Sequence, residues 1–589
     1  MTLCLARACP TCRHVCRCKG VAHAAGCVRL EQDFDARRGR SSVQSPCLTG
    51  RALSPFAQRE RLSLSTRGVP LLRRWMRVRM TLTLRIRRGW TAHSTEAVMK
   101  PHLPLLMLLG AAGCGTEVED ADFTSQESAL SQKWELCGKE AVRLADIHPG
   151  PVGSNPADLI HGDRVLFFTA DDGTHGRELW RSSGTEGSGT SLVKDIYPGL
   201  AGSEISNLTR VGNRVFFAAD DGVHGYELWV TDGTSAGTYL VKDIYPGPED
   251  GIRRPDPFYW INDPMLVEFG GVLYFGANDG VHGYELWRSD GTDAGTYLVE
   301  DIEPGPANSF PRRLVRVGNE AFYFVASKRG PWSDEIHLWR STGVPGAIPV
   351  LSLVGDNVIF DLLAVKSRLY FLVDNDEGEA SLWKTDGAAS NTHELRYFYG
   401  EYPHDLVALG SRVVFSAGAG EPEGEELWSS NGSTSSTKLV KDIWPGPMSS
   451  SPSSLAVLKS RVFFAANDGS GEGRELWVSN GTGSGTRLFK ALAPGGGSSD
   501  PEALASIEGT LFFSASDGVH GHEPWVSDGT RSGTKALRGL AHGSASSSPR
   551  DFVRSGWDVF FSADDGKTGR ELWALPFRPK GECKQHHAY

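Results

Sequence analysis

Four histidines, His175, His224, His282 and His520, recur just ahead of a Glu-Leu-Trp or Glu-Pro-Trp phrase. Acid pairs stand before a glycine in the same stretches, as Asp171-Asp172, Asp220-Asp221 and Asp564-Asp565. Imidazole and carboxylate together could bind a metal or move a proton. One histidine per repeat spreads these groups apart, however, so a turn role is the expectation. Asp before Gly ordinarily bonds its own backbone in an Asx-turn. Calcium held by loop oxygens is the alternative, and the acidity of the chain permits it. A full Asp-x-Asp-x-Asp-Gly calcium loop is absent, and no metal ligands or other cofactor are assigned. No phosphate-binding glycine loop, Gly-x-Ser-x-Gly elbow or His-Glu-x-x-His is present either.

A second candidate is the insertion PGPEDGIRRPDPFYWINDPM, which adds about ten residues between one repeat and the next. It brings Arg253 and Arg254 close to Phe258, Tyr259 and Trp260. Exposed aromatics beside arginine suit sugar stacking or a protein hot spot. The competing reading is that the loop folds down on its own aromatics.

These groups are positioned by a repeat. Nine tryptophans, Trp180, Trp229, Trp287, Trp339, Trp383, Trp428, Trp477, Trp525 and Trp573, recur at spacings of 44 to 58 residues. In the clearest copy, Arg214 to Ala219 is an apolar run, Glu227 to Val230 a second strand, and Tyr239 to Ile244 a third. Asp-Gly turns separate them, and Asn207 to Val211 supplies a strand in front. No segment carries a helical period. Four antiparallel strands per repeat make one blade of an all-β propeller, of about nine blades with eight possible. Alternation sends Leu to one face and Glu and Trp to the other, so each Trp can wedge between blades. The strand Ala141 to Ile147 matches the last strand of a repeat, which the final repeat lacks. It is expected to close the ring by completing the C-terminal blade.

Residues 1–98 are different: they carry a net charge of +14 against −24 for the remainder, and hold seven of the ten cysteines. They read as a spurious extension upstream of the true reading frame, or else as a disordered arm. Met99 to Gly113 has a lysine, an apolar run and small residues, as a signal peptide does. Its Ala-Ala-Gly-Cys ending resembles the lipobox of bacterial lipoproteins, with Ala111 where that family has Leu. The resemblance implies lipidation at Cys114. Residues 114–133 then read as a polar tether, and 134–585 as the propeller. In an exported domain, Cys137 and Cys583 are expected to form one disulfide, because closure brings both to one rim.

The repeated Glu-Leu-Trp, Asp-Gly-Thr and Lys-Asp-Ile phrases resemble the bacterial ELWxxDGT repeat family. The match is sharpest at Glu227-Leu228-Trp229 with Asp232-Gly233-Thr234, and at Glu285-Leu286-Trp287 with Asp290-Gly291-Thr292. The family implies an exported β-repeat protein and brings no catalytic residues with it. A net −24 argues against nucleic acid. Two classes remain. One is a monomeric binding or adhesion propeller on the outer membrane or cell surface, lipid-anchored, recognising a polysaccharide or a protein. The other is a propeller-type glycan hydrolase or lyase. The divergent repeats lose motif residues without gaining an evident acid–base pair, which favours binding.

Overall fold

The computed structural model describes residues 133–583, apart from 256–264, 329–334, 356, 375–378, 401, 419, 421–423 and 496. Residues 1–98, the leader, Cys114, and Phe258, Tyr259 and Trp260 of the insertion lie outside the described residues.

Each repeat spends its length on four short strands and three turns, the make-up of a propeller blade. Blade 2 is typical: Ser206–Val211, Arg214–Asp220, Tyr226–Thr231 and Tyr239–Lys242 pair in order as an antiparallel sheet. We letter these strands A to D outward from the axis. Blade 1 opens on Ala157–His161, and blade 9 on Arg550–Ser555. The A strands lie side by side in sequence order, and that of blade 9 returns to that of blade 1. The protein is a nine-bladed β-propeller.

The Trp phrase sets the packing. In every blade the C-strand Trp sits directly across from a B-strand Phe, as Phe217 does from Trp229 and Phe513 from Trp525. Alternate residues then face opposite neighbours. Phe217 and Trp229 pack back on Phe167, Leu179 and Val193 of blade 1. Phe216 and Leu228 pack forward with Phe275 and Trp287 of blade 3. Both faces of a blade are therefore core, which explains the near-continuous apolar B strands. The Lys of the Lys-Asp-Ile phrase locks the next blade: Lys194 Nζ donates to Thr238 O at 2.9 Å and lies 5.4 Å from the Trp229 ring centre. Lys441 repeats both contacts, with Thr486 O and Trp477.

Closure follows the expected route with one refinement. Only Val142–Arg143 of the anticipated strand pairs with Arg570–Pro579, opposite Ala574 and Trp573. A second short strand, Trp134–Leu136, pairs farther along the same partner, opposite Pro579 to Phe577. The long last strand thus gathers two N-terminal pieces. Leu144 and Ile147 fill the gap between blade 9 and blade 1, against Phe168, Phe560 and Leu572. Cys137 and Cys583 are bonded, their Cα atoms 5.0 Å apart across 446 residues of chain.

Candidate functional site

The histidine turns are local structures. Asp221 Oδ1 accepts the backbone N–H groups of Val223 and His224, and its other oxygen meets His224 Nδ1 at 2.7 Å. The same triangle joins Asp172 to His175, Asp279 to His282 and Asp517 to His520. Burial opposes ionisation of Asp172, but the bonds from His175 and Thr174 prevail and hold it at about 2. The first acid of each pair makes the expected Asx-turn, as Asp220 does to the N–H of Gly222. Among the described residues no three His, Cys, Asp or Glu side chains group as a metal site.

The two arginines of the insertion are engaged within the chain. Arg254 pairs with Asp220 at 2.5 Å, with Asp250 at 2.8 Å and with Glu204, and lies over Tyr226. Arg253 lies 5.6 Å from the ring centre of Phe310. These contacts fasten the start of the insertion to the face that carries the histidine turns.

A cleft opens on the opposite face, where the A strands turn back into the B strands. It has a volume of about 700 Å³ and is bordered by blades 8, 9 and 1 together with Arg210 of blade 2 and Trp134. Register places His161, Arg210 and Arg554 at one position of three successive A strands, opposite Leu166, Val215 and Val559. The same position is Glu268 and Arg316 in blades 3 and 4, and Ala364, Ala408, Val457 and Ser506 in blades 5 to 8. Polar groups therefore occupy one arc of the ring. Each arginine reaches back to the preceding blade: Arg210 Nη1 donates to His161 Nδ1 at 2.8 Å, Arg316 pairs with Glu268, and Arg554 lies 3.4 Å from Glu508. Because a guanidinium only donates, His161 Nδ1 must accept, which leaves its proton on Nε2. Burial, then Arg210 and Arg554, lower the His161 pKa, so the ring stays neutral.

Two tryptophans border the cleft. Trp557 occupies the A–B turn of blade 9 and is 45% exposed, unusual for so large an apolar side chain. Trp134 lies beside it at 6.1 Å between centres, stacked on Phe577 and covered by the guanidinium of Arg554 at 4.4 Å. Arg164 holds the matching turn position in blade 1, with φ of 71°. A non-glycine residue in that region costs energy unless its surroundings demand it. The signal in the sequence was a break in the repeat: Trp557 and Arg164 stand where blade 2 has Asn213.

Blade 6, whose Glu426-Leu427-Trp428 phrase is intact, holds a further pair of ionisable side chains. Glu425 opens the C strand of blade 6, where blades 7, 3 and 2 have Arg474, Tyr284 and Tyr226. It pairs with His404 Nε2 and accepts from Ser416 Oγ at 2.8 Å. Hydrogen bonds to Asp405 and Glu425 push His404 up to about 10. An acid–base couple is therefore present, formed between two strands and so hidden in the linear pattern. Its histidine is a fixed cation at neutral pH, poorly suited to shuttling a proton.

No family model matches this chain, and no curated protein matches it. Solved structures resemble it at low similarity. A structure of prolyl endopeptidases shares 14% identity at a TM-score of 0.35, covering 57% of this chain and 49% of that one. A Mycobacterium tuberculosis puromycin-hydrolysing peptidase shares 11% at 0.34, covering 73% and 61%. An oligogalacturonate lyase in complex with manganese shares 12% at 0.34, covering 73% and 99%. The chain thus spans about half the length of the endopeptidase and under two thirds of the peptidase.

Proposed function

We propose that this protein is a binding propeller of the bacterial surface, exported and held by a lipid at Cys114, that takes a polysaccharide in the cleft between blades 8, 9 and 1. The observation that carries this reading is Trp557. A large indole, nearly half exposed, stands beside a second Trp at the lip of a cleft with several hydrogen-bonding groups. Flat apolar faces rimmed by donors are what a pyranose ring needs, since its C–H face stacks while its hydroxyls bond sideways. The surface address rests on the leader and its resemblance to a lipobox. Membership of the ELWxxDGT family would fit an exported repeat protein.

The alternative of a glycan hydrolase or lyase draws on the His404–Glu425 couple. A histidine held as a cation in an ion pair favours electrostatic holding over proton transfer, so binding is the better reading. One experiment tests function and address together. Cells expressing the wild type, Trp557→Ala and Cys114→Ala are fractionated, and each protein is applied to a glycan array. Trp557→Ala should lose at least about tenfold in binding, a 1.4 kcal/mol change. Cys114→Ala should leave the membrane fraction. Undiminished glycan binding by Trp557→Ala would remove the cleft as the site, and unchanged fractionation of Cys114→Ala would remove the anchor.

A further inference from the structure

We infer that the cleft selects an acidic polysaccharide, a chain of pyranoses bearing carboxylates, over a neutral one. This rests on the polysaccharide reading above and adds the class of sugar. The argument is a charge balance. Three guanidiniums border the cleft, those of Arg164, Arg210 and Arg554, against two carboxylates, Asp163 and Glu508. Glu508 is matched by Arg554 at 3.4 Å. Arg210 spends its donors on neutral acceptors, His161 Nδ1 and the carbonyls of Gly162 and Gly212, so its charge is uncompensated. Arg164 is exposed, and its strained turn presents it at the cleft. Asp163, exposed beside Arg164, offsets one of these charges, so the cleft keeps one positive charge in excess within a chain that carries −10.

Buried or half-buried cations without counterions raise the local potential, and a concave site with low-dielectric walls concentrates it. Arginine answers a carboxylate with two parallel N–H donors, a geometry that an ammonium cannot supply. The aromatic component is independent of this charge. Trp557 gives every pyranose a stacking face, whether or not the sugar is acidic. The site therefore separates into a stacking element, the Trp557 indole, and an anion-reading element, Arg164 and Arg210; the faces of Trp134 are taken by Phe577 and Arg554. A cleft of about 700 Å³ falls within the range of roughly 300–1,000 Å³ usual for small-ligand sites. An acidic peptide would satisfy the arginines but not the indole face, which makes it an outcome of the test.

The test is calorimetric titration of the full chain with three probes at low salt. These are a short oligouronate, the same oligosaccharide after its carboxyls are reduced to alcohols, and an Asp/Glu peptide. The oligouronate should bind at least about tenfold more tightly than its reduced form, and added salt should erase most of that gap. Arg164→Ala should weaken the oligouronate more than its reduced form and so narrow the gap. Trp557→Ala should weaken both sugars together; Trp557→Phe serves as a second variant if the first lowers the unfolding midpoint. Equal affinity for the two sugars would overturn the acidic class and leave the polysaccharide reading standing. Binding of neither sugar, or of the peptide alone, would overturn both.

Discussion

The glutamate of Glu-Leu-Trp is the most consequential single residue of each repeat. Glu426 is fully buried, and its carboxylate accepts from the N–H groups of Ile443 at 2.8 Å, Trp444 at 3.3 Å and Ser450 at 3.1 Å. Ser450 Oγ adds a fourth bond at 2.6 Å. One side chain thereby organises the whole passage from the D strand to the next blade. Alternation placed this Glu on the inter-blade face but could not name its partners, which lie 17 to 24 residues on. A serine recurring at that distance was the available clue, since Ser309, Ser499 and Ser547 each bond their own Glu. Blade 2 has Gly251 at this place, and there the Glu227 pKa is driven up to about 8, chiefly by burial. Replacing Glu426 with Gln keeps one acceptor oxygen and turns an NH2 toward N–H donors. The expected loss is about 1–3 kcal/mol, read from the urea midpoint at constant slope. A variant as stable as the wild type would show that the carboxylate does not hold the loop.

At the scale of elements, the ring depends on how its ends are fastened. Val142–Arg143 is only two residues long, too little to hold a sheet edge by its own hydrogen bonds. Three further contacts assist it: the strand at Trp134–Leu136, the bonds of Ile147 and His148 N–H to Glu571, and the Cys137–Cys583 bridge. The pairing of those cysteines was legible because propeller closure makes the first and last strands antiparallel neighbours. The extra strand was not, since Trp134-Glu135-Leu136 carries too short a pattern to distinguish from a tether. The double variant Cys137→Ser, Cys583→Ser should be less stable by about 2–5 kcal/mol. Amide exchange should quicken first in Val142–Arg143 and along Arg570–Pro579. Exchange that accelerates evenly around all nine blades would instead mean that the bridge does not guard the seam.

At the scale of the whole molecule, repetition turns small effects into a collective one. Burial raises Glu178 and Glu285 to about 7 and Glu227 to about 8, despite the N–H bonds that oppose it. Asp558, at the blade 9–blade 1 seam beside Gly184, is raised by burial to about 6. A carboxyl whose folded pKa exceeds its unfolded value holds its proton longer in the native state. Its contribution is complete below about pH 4.5 and is lost as pH rises through 6 to 8. The raised histidines of the Asp–His turns act in the same direction. The urea midpoint should therefore be higher at pH 5.5 than at pH 8.5, and the reverse order would contradict these assignments. Periodicity alone determined the blade, because a strand buried on both faces must read as an apolar run and the tight turns between strands favour glycine, most often after Asp or Asn. It also determined closure and the disulfide, which follow from where a repeat is cut. The cleft was decided only by tertiary structure. Arg164, Arg210, Arg554, Trp134 and Trp557 are scattered from one end of the domain to the other. Rolling nine blades into a ring brings the eighth and ninth beside the first and second, a proximity that no local pattern encodes.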